Sequence, residues 1–273
     1  LALHQQNQHP VQVSFIGAGN VAWHLSKAVE NAGYGVADVF SRNRRHAEAL
    51  AGRLYDAKST DRLDFSKSPA RLFFLTLPDQ AHEEVIQKLT LPENAVLIHT
   101  SGSRMLMDFQ EILALNNDPA TRCGVFYPLQ TFSKTVPLDI VNVPICIEAP
   151  DPATETLLIK LGQDVSQTVY LVNSVERRVL HIAGIFASNF TNHLWALSKN
   201  LLDEHYLEFD LLKPLIQETT RKALTVAHPA DAQTGPAIRN DSEIIQQHLA
   251  FLKDKKGLHA IYNLVTRDIQ EGG

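Results

Sequence analysis

Short apolar runs alternate with segments of helical period through the first hundred positions. Val11–Ile16 reads as a buried strand and Asn20–Asn31 as the helix that follows it. Val36–Phe40 is a second strand, with a helix over Arg44–Gly52. Arg71–Leu77 is a third strand, with a helix over Asp79–Leu89, and Ala95–His99 is a fourth strand. Strands separated in this way call for parallel βαβ units with right-handed crossovers. Near-continuous apolar strands such as LFFLTL fit a sheet covered on both faces.

The texture changes after about residue 121. GVFYPLQTFSK, VPICIEA and QTVYLV read as further strands, with Asp151–Leu161 as a helix between the last two. From Asn173 onward there is almost no strand signal. Asn173 and Glu176 have the spacing of a capping box, and a helical pattern runs from there to about Leu202. Further helices are predicted over Leu211–Ala227, Ser242–Leu252 and Leu258–Ile269. The expected fold is therefore α/β: a Rossmann-type, mostly parallel sheet domain over residues 1–172, then an all-α domain over 173–273.

The turn after the first strand carries the clearest chemistry. Gly17-Ala18-Gly19-Asn20-Val21-Ala22 is G-x-G-x-x-A opening a helix directly after a strand. Gly17 allows the tight turn, and Gly19 lets the backbone approach a pyrophosphate. Ala22 keeps helix and sheet close, while the helix N-terminus offers free N–H groups to the anion. The second strand ends in Phe40-Ser41-Arg42-Asn43-Arg44-Arg45, where NAD sites usually place an acid for the ribose 2′-OH. A hydroxyl and guanidinium groups suit a 2′-phosphate instead, so Ser41, Arg42 and Arg45 predict NADP. Asp38 is the nearest acid, but it falls inside the strand. Ligands bind beyond the carboxyl ends of parallel strands. That adds Leu77 and Pro78 at one strand end and Thr100 and Ser101, in His-Thr-Ser-Gly-Ser, at another. Gly17, Gly19, Asn20, Val21, Ser41, Arg42, Arg45, Leu77, Pro78 and Thr100 form the expected cofactor set.

Composition narrows the partners. With 44% hydrophobic and 20% charged residues the chain should pack, and a net charge of -5 gives no reason to expect nucleic acid or an anionic membrane. The opening LALHQQNQHP lacks a signal-peptide core, and no apolar stretch approaches the roughly 20 residues that span a bilayer. Cys123 and Cys146 share no metal-ligand spacing and read as buried core residues in a reducing compartment. A soluble, cytoplasmic protein is expected. The 12 histidines show no ligand pattern, so no dedicated metal site is expected.

Phased at about 100° per residue, the helix from Asn173 places Ile182, Ala183, Phe186, Phe190, Leu194, Leu197 and Leu201 on one face. Ser174, His181, Ser188, Asn192 and Lys199 form a narrow polar stripe opposite. Trp195 and Ile185 flank that stripe, which favours a covered stripe facing the cofactor cleft as much as a solvent face. Asn189 and His193 sit on the shoulder of the apolar face. Ser101, His181 and Asn189 are the candidate catalytic residues.

The Gly17–Ala22 loop, Ser41-Arg42, HTSGS, GVFYPLQTFSK, FASNFTNHLWAL and QTGPAIRND together resemble a bacterial family of Rossmann-like proteins. Its members carry a C-terminal helical domain of unknown function and are labelled NADP oxidoreductases of the deazaflavin-dependent type. The resemblance runs from about Val11 to Ile269. The wider superfamily includes 6-phosphogluconate, 3-hydroxyisobutyrate and prephenate dehydrogenases and pyrroline-5-carboxylate reductase. It implies NADP as cofactor and a helical domain that closes the cleft and builds a homodimer. It also implies hydride transfer between NADPH and a small carbonyl, imine or deazaflavin acceptor. Some related dehydrogenases carry His-Pro where this chain has Tyr127-Pro128, a departure that removes an obvious proton-transfer residue. A non-catalytic NADP-binding sensor or scaffold is the alternative that this departure leaves open.

Overall fold

The computed structural model describes residues 11–118 and 120–272. Residues 1–10, whose polar character predicts no signal-peptide core, lie outside the described residues. Two compact units part between Ser188 and Asn189. The helical region expected from residue 173 begins with a helix at Ser174, which belongs to the first of these units.

The first unit is built on one eight-stranded sheet. Its strands are β1 (Gln12–Ile16), β2 (Gly35–Phe40), β3 (Lys58–Thr60), β4 (Leu72–Leu75), β5 (Val96–His99), β6 (Arg122–Pro128), β7 (Ile145–Glu148) and β8 (Val169–Leu171). They lie in the order β3-β2-β1-β4-β5-β6-β7-β8, and every neighbouring pair is parallel except β6 with β7. The first six follow the doubly wound order, whose switch point lies between β1 and β4. The helices of this unit are α1 (Asn20–Asn31), α2 (Arg44–Ala51), α3 (His82–Lys88), α4 (Leu106–Asn116), α5 (Pro152–Val165) and α6 (Ser174–Gly184).

Strand side chains alternate between two cores, as a sheet covered on both faces requires. Val13, Phe15, Leu72, Phe74, Val96 and Ile98 pack with Leu25 and Val29 of α1 and Leu158 and Leu161 of α5. Ile16, Phe73, Leu75 and Leu97 point the other way, onto Val85 and Ile86 of α3 and Phe109 and Leu113 of α4. Cys123 and Cys146 are buried and free, as the sequence suggested.

Three expectations are corrected. The apolar run GVFYPLQTFSK stays in the sheet only as far as Pro128, and residues 129–134 leave it. A helix that the sequence reading omitted, α4, follows the Thr-Ser-Gly-Ser turn. The helix from Ser174 is not uniform either: a π-helical turn at Ile185–Phe190 interrupts it before α7 (Thr191–Asp203). Because that turn closes i→i+5 bonds, phasing at a constant angle fails beyond it. Up to that point the stripe is the covered side. Ser174 and Arg177 are buried and His181 is half-buried, whereas Ile182 and Phe186 of the apolar face are 49% and 64% exposed.

The second unit contains α7, α8 (Lys213–Ala223), α9 (Ser242–Phe251) and α10 (Lys256–Glu271). No helix among the described residues is long and apolar enough to cross a membrane.

Candidate functional site

The glycine loop is held tightly at its base and open at its top. Gly17 adopts φ +124°, donates its N–H to Phe40 O at 2.9 Å, and would place a Cβ only 2.7 Å from Thr76 O. Any side chain there collides with backbone, in a conformation that favours glycine. Above it, a Cβ on Gly19 would have only Thr76 O nearby, at 3.8 Å. Gly19 precedes α1, whose N-terminus has no side-chain cap and no acid in its first turn. These uncapped N–H groups and the partial positive charge of the helix end suit an anion.

Six of the expected cofactor residues meet at one cavity of about 440 Å³: Gly19, Asn20, Ser41, Arg42, Leu77 and Pro78. Gly17, Val21, Arg45 and Thr100 do not line it. Gly17 is buried beneath the loop, Val21 packs on the core, and Arg45 is exposed on α2. Thr100 lies past β5, its hydroxyl donating to Leu75 O at 3.5 Å. Asp38 is removed from any ribose by its own partners, since Oδ2 accepts from Ser14 Oγ at 3.0 Å and Ser68 Oγ at 2.5 Å. Of the lining residues outside the expected cofactor set, one brings a positive charge from far along the chain. Lys134 enters the same cavity from the segment after β6.

A second group of polar residues lies beyond the carboxyl ends of β5 and β6. Ser101 Oγ donates to Asp79 Oδ2 at 2.7 Å and accepts from the amides of Ser103 (3.1 Å) and Arg104 (2.9 Å). Its hydroxyl is thus committed to holding the Thr-Ser-Gly-Ser turn. Gly102 is pressed against His181, where a Cβ would lie 2.6 Å from Nδ1. That same Nδ1 is 3.1 Å from the hydroxyl of Tyr127. Burial pushes the Tyr127 phenol up to about 12, with Cys146 adding to the shift and Arg177 opposing it. The phenol therefore stays protonated, and the imidazole tautomer sets which of the two groups donates. Asn189, the third catalytic candidate, is the first residue of the second unit.

Beneath this pair a buried ion pair fastens α6 to the sheet. Arg177 is fully buried, and its guanidinium bonds Glu148 at the end of β7 and the Arg104 carbonyl. Both Glu148 carboxylate oxygens also accept from Ser174 Oγ, at 2.8 and 2.9 Å. The sequence offered only spacing here, with Arg177 three residues after Ser174 on the covered stripe.

His99 and His82 are held neutral. Burial lowers both imidazoles, His99 well below 6.5, with Arg177 adding to its shift. His99 Nδ1 accepts from the Ser101 amide at 3.2 Å, while His99 Nε2 and His82 Nδ1 have no partner among the described residues. An unfolded imidazole titrates near about 6.5. Below that pH the unfolded chain takes up protons that the folded chain refuses, so stability falls as pH falls. The urea midpoint is expected to drop between about pH 7.5 and about pH 5.5, and to drop less in His99→Leu. A midpoint independent of pH over that window would mean that both imidazoles are hydrated in the folded protein.

The chain matches known proteins along both halves. Residues 12–102 match the family model described as NADP oxidoreductase, coenzyme F420-dependent, and residues 143–269 match a domain of unknown function, DUF2520. A "putative NADP oxidoreductase" from Bacteroides fragilis is 36% identical, with a TM-score of 0.86 over 96% of this chain and 99% of that one. The chain belongs to this family. This chain joins an F420-dependent-type NADP oxidoreductase domain to DUF2520, which places it among NAD(P)-dependent oxidoreductases and supports a nicotinamide dinucleotide as cofactor. A protein of Thermotoga maritima shares the fold at 20% identity and TM-score 0.74, over 95% of this chain and 100% of its own. The reductive aminase of Aspergillus terreus shares it at 12% identity and TM-score 0.68, over 96% and 95%. No curated protein matches the chain.

Proposed function

We propose that this family member binds NADP(H) and transfers hydride between it and a small carbonyl or imine. The observation that carries this reading is the cavity where the uncapped glycine loop and Ser41-Arg42 meet. Arg42 is exposed at its rim with no acid at the tip of β2, so a 2′-phosphate would gain a guanidinium partner there. When bound, the nicotinamide supplies the hydride. The chain's own residues supply the proton. Tyr127 would release its hydroxyl proton to the acceptor oxygen or nitrogen as the acceptor carbon takes the hydride, and His181 would pass a proton from Nδ1 to the phenolate while taking one up from solvent at Nε2. Ser101 positions the turn that lies against His181. This pair favours an enzyme over the sensor or scaffold reading, which rested on the lack of a proton-transfer residue.

The helical part, taken from residue 173, is assigned to dimerisation and the substrate side. Among the described residues from 189 onward, Ala237, Ile245 and Leu252 are the buried apolar side chains, while Phe190, Leu194, Leu215 and Leu264 stand exposed. A second copy of the chain would cover them.

The test is calorimetric titration with NADPH and NADH on protein whose mass in solution has been measured by light scattering. The expected sample is a dimer of the 30.4 kDa chain that binds NADPH at least about tenfold more tightly than NADH. Arg42→Asp should erase that preference. If the variant keeps it, Arg42 does not read the 2′-phosphate, and binding of neither dinucleotide would overturn the reading altogether. Acceptors are then screened in two arms, carbonyls with amines in one and a deazaflavin in the other.

A further inference from the structure

We propose that Lys134 is a phosphate ligand of the dinucleotide site, carried to the glycine loop by the segment that leaves β6. The inference rests on the dinucleotide reading above and adds a residue that lies outside the expected cofactor set.

After Pro128 the chain crosses to α1 and is tied there at three successive residues. Asn20 Nδ2 donates to Phe132 O at 3.0 Å, His24 Nε2 lies 2.8 Å from Ser133 O, and Lys134 Nζ donates to Ala18 O at 2.8 Å. These contacts join positions more than a hundred residues apart, so they are tertiary features and not accidents of a turn. α1 has no side-chain cap because its N-cap is Gly19, which carries no side chain. Asn20, the first residue of the helix, spends its amide nitrogen on the crossing segment. The helix end is left to an incoming anion.

Lys134 is half-buried and lines the same cavity as Gly19, Asn20, Ser41 and Arg42. Its ammonium also lies 5.0 Å from the centre of the Trp23 ring, whose other neighbour is the Arg53 guanidinium at 3.9 Å. An ammonium carries three N–H donors, and the Ala18 carbonyl takes one. The others are available at the mouth of the glycine loop. Two cations therefore serve different ends of the cavity: Arg42 at the tip of β2, where a 2′-phosphate would be read, and Lys134 at the loop, where a pyrophosphate would lie. A cation at the loop contacts what NADPH and NADH have in common.

That division sets the experiment. NADPH and NADH are titrated calorimetrically into the parent, Lys134→Met, Lys134→Gln and Arg42→Asp, at two ionic strengths. Thermal midpoints without ligand verify that each variant is folded. Lys134→Met should weaken both dinucleotides alike, by about tenfold or more, and flatten the salt dependence of Kd. Lys134→Gln, which keeps a donor for Ala18 O but no charge, should behave like Lys134→Met. Arg42→Asp should weaken NADPH alone. If the parent binds and Lys134→Met binds both as tightly, the assignment is overturned. Recovery of parental binding and salt dependence by Lys134→Gln also overturns it, because the lysine would then only fasten the segment. An effect confined to NADPH would overturn it as well, by moving Lys134 to the 2′-phosphate. A parent that binds neither dinucleotide refutes the functional reading itself, a result distinct from all of these.

Discussion

Glu148→Ala is expected to destabilise the sheet unit by about 3–5 kcal/mol, the usual cost of leaving one member of a buried ion pair without its partner. Arg177 has no exposed surface, and its Nε already lacks a partner among the described residues. The Glu148 carboxylate is its counter-charge, and the Arg104 carbonyl is its other main acceptor. Removing that carboxylate leaves a buried guanidinium that cannot shed its proton. It also takes away the acceptor of the Ser174 hydroxyl proton. Urea unfolding of Glu148→Ala, Arg177→Met and the double variant measures this directly. The double variant should recover much of the loss, since apolar replacements of a whole buried pair are often tolerated. A single-variant cost under about 1 kcal/mol would mean that water reaches the pair.

Tyr127→Phe is expected to lower kcat by about 10²–10⁴ while leaving dinucleotide affinity close to the parent value. The hydroxyl is the only atom removed, and the cavity that gathers Gly19, Ser41, Arg42 and Lys134 does not include it. Because burial raises the phenol to about 12, the parent keeps its proton throughout the working range. In the proposed reaction His181 then passes a proton to the phenolate after each turnover, and His181→Ala should cut kcat in a way that added imidazole partly restores. The measurement is steady-state oxidation of NADPH with whichever acceptor the screen identifies. If Tyr127→Phe turns over like the parent, the proton comes from elsewhere.

Much of the first unit was legible because its signals are local. Val11–Ile16, LFFLTL and Ala95–His99 are apolar runs that have to be buried on both faces, and each lies in the sheet. The capping box was legible too: Asn173 accepts from the amides of Val175 and Glu176, and Glu176 accepts from Asn173 N. By contrast α4 buries Leu106, Phe109 and Leu113 but exposes Met107 and Leu115, which blurs its amphipathic pattern. The edge strand β3, Lys58-Ser59-Thr60, has no apolar residue and owes its form to pairing with β2. Lys134, Tyr127 and Arg177 gain their meaning from partners far along the chain, which no local pattern discloses. Tyr127 stood in the sequence as a missing histidine. In the fold a histidine from α6 meets its hydroxyl.

The pairing of β6 with β7 has a consequence for where the chain can be divided. The two family models match residues 12–102 and 143–269, and neither spans β6. Hydrogen bonding takes no notice of that border, because Phe126 pairs with Ile147 and Tyr127 with Cys146 across it. A chain shortened before β7 would leave β6 with a bare edge, a template for pairing with other molecules. The bounds of a family model and the bounds of what the polypeptide can fold are therefore different, and the seam between the two models runs through the middle of one sheet.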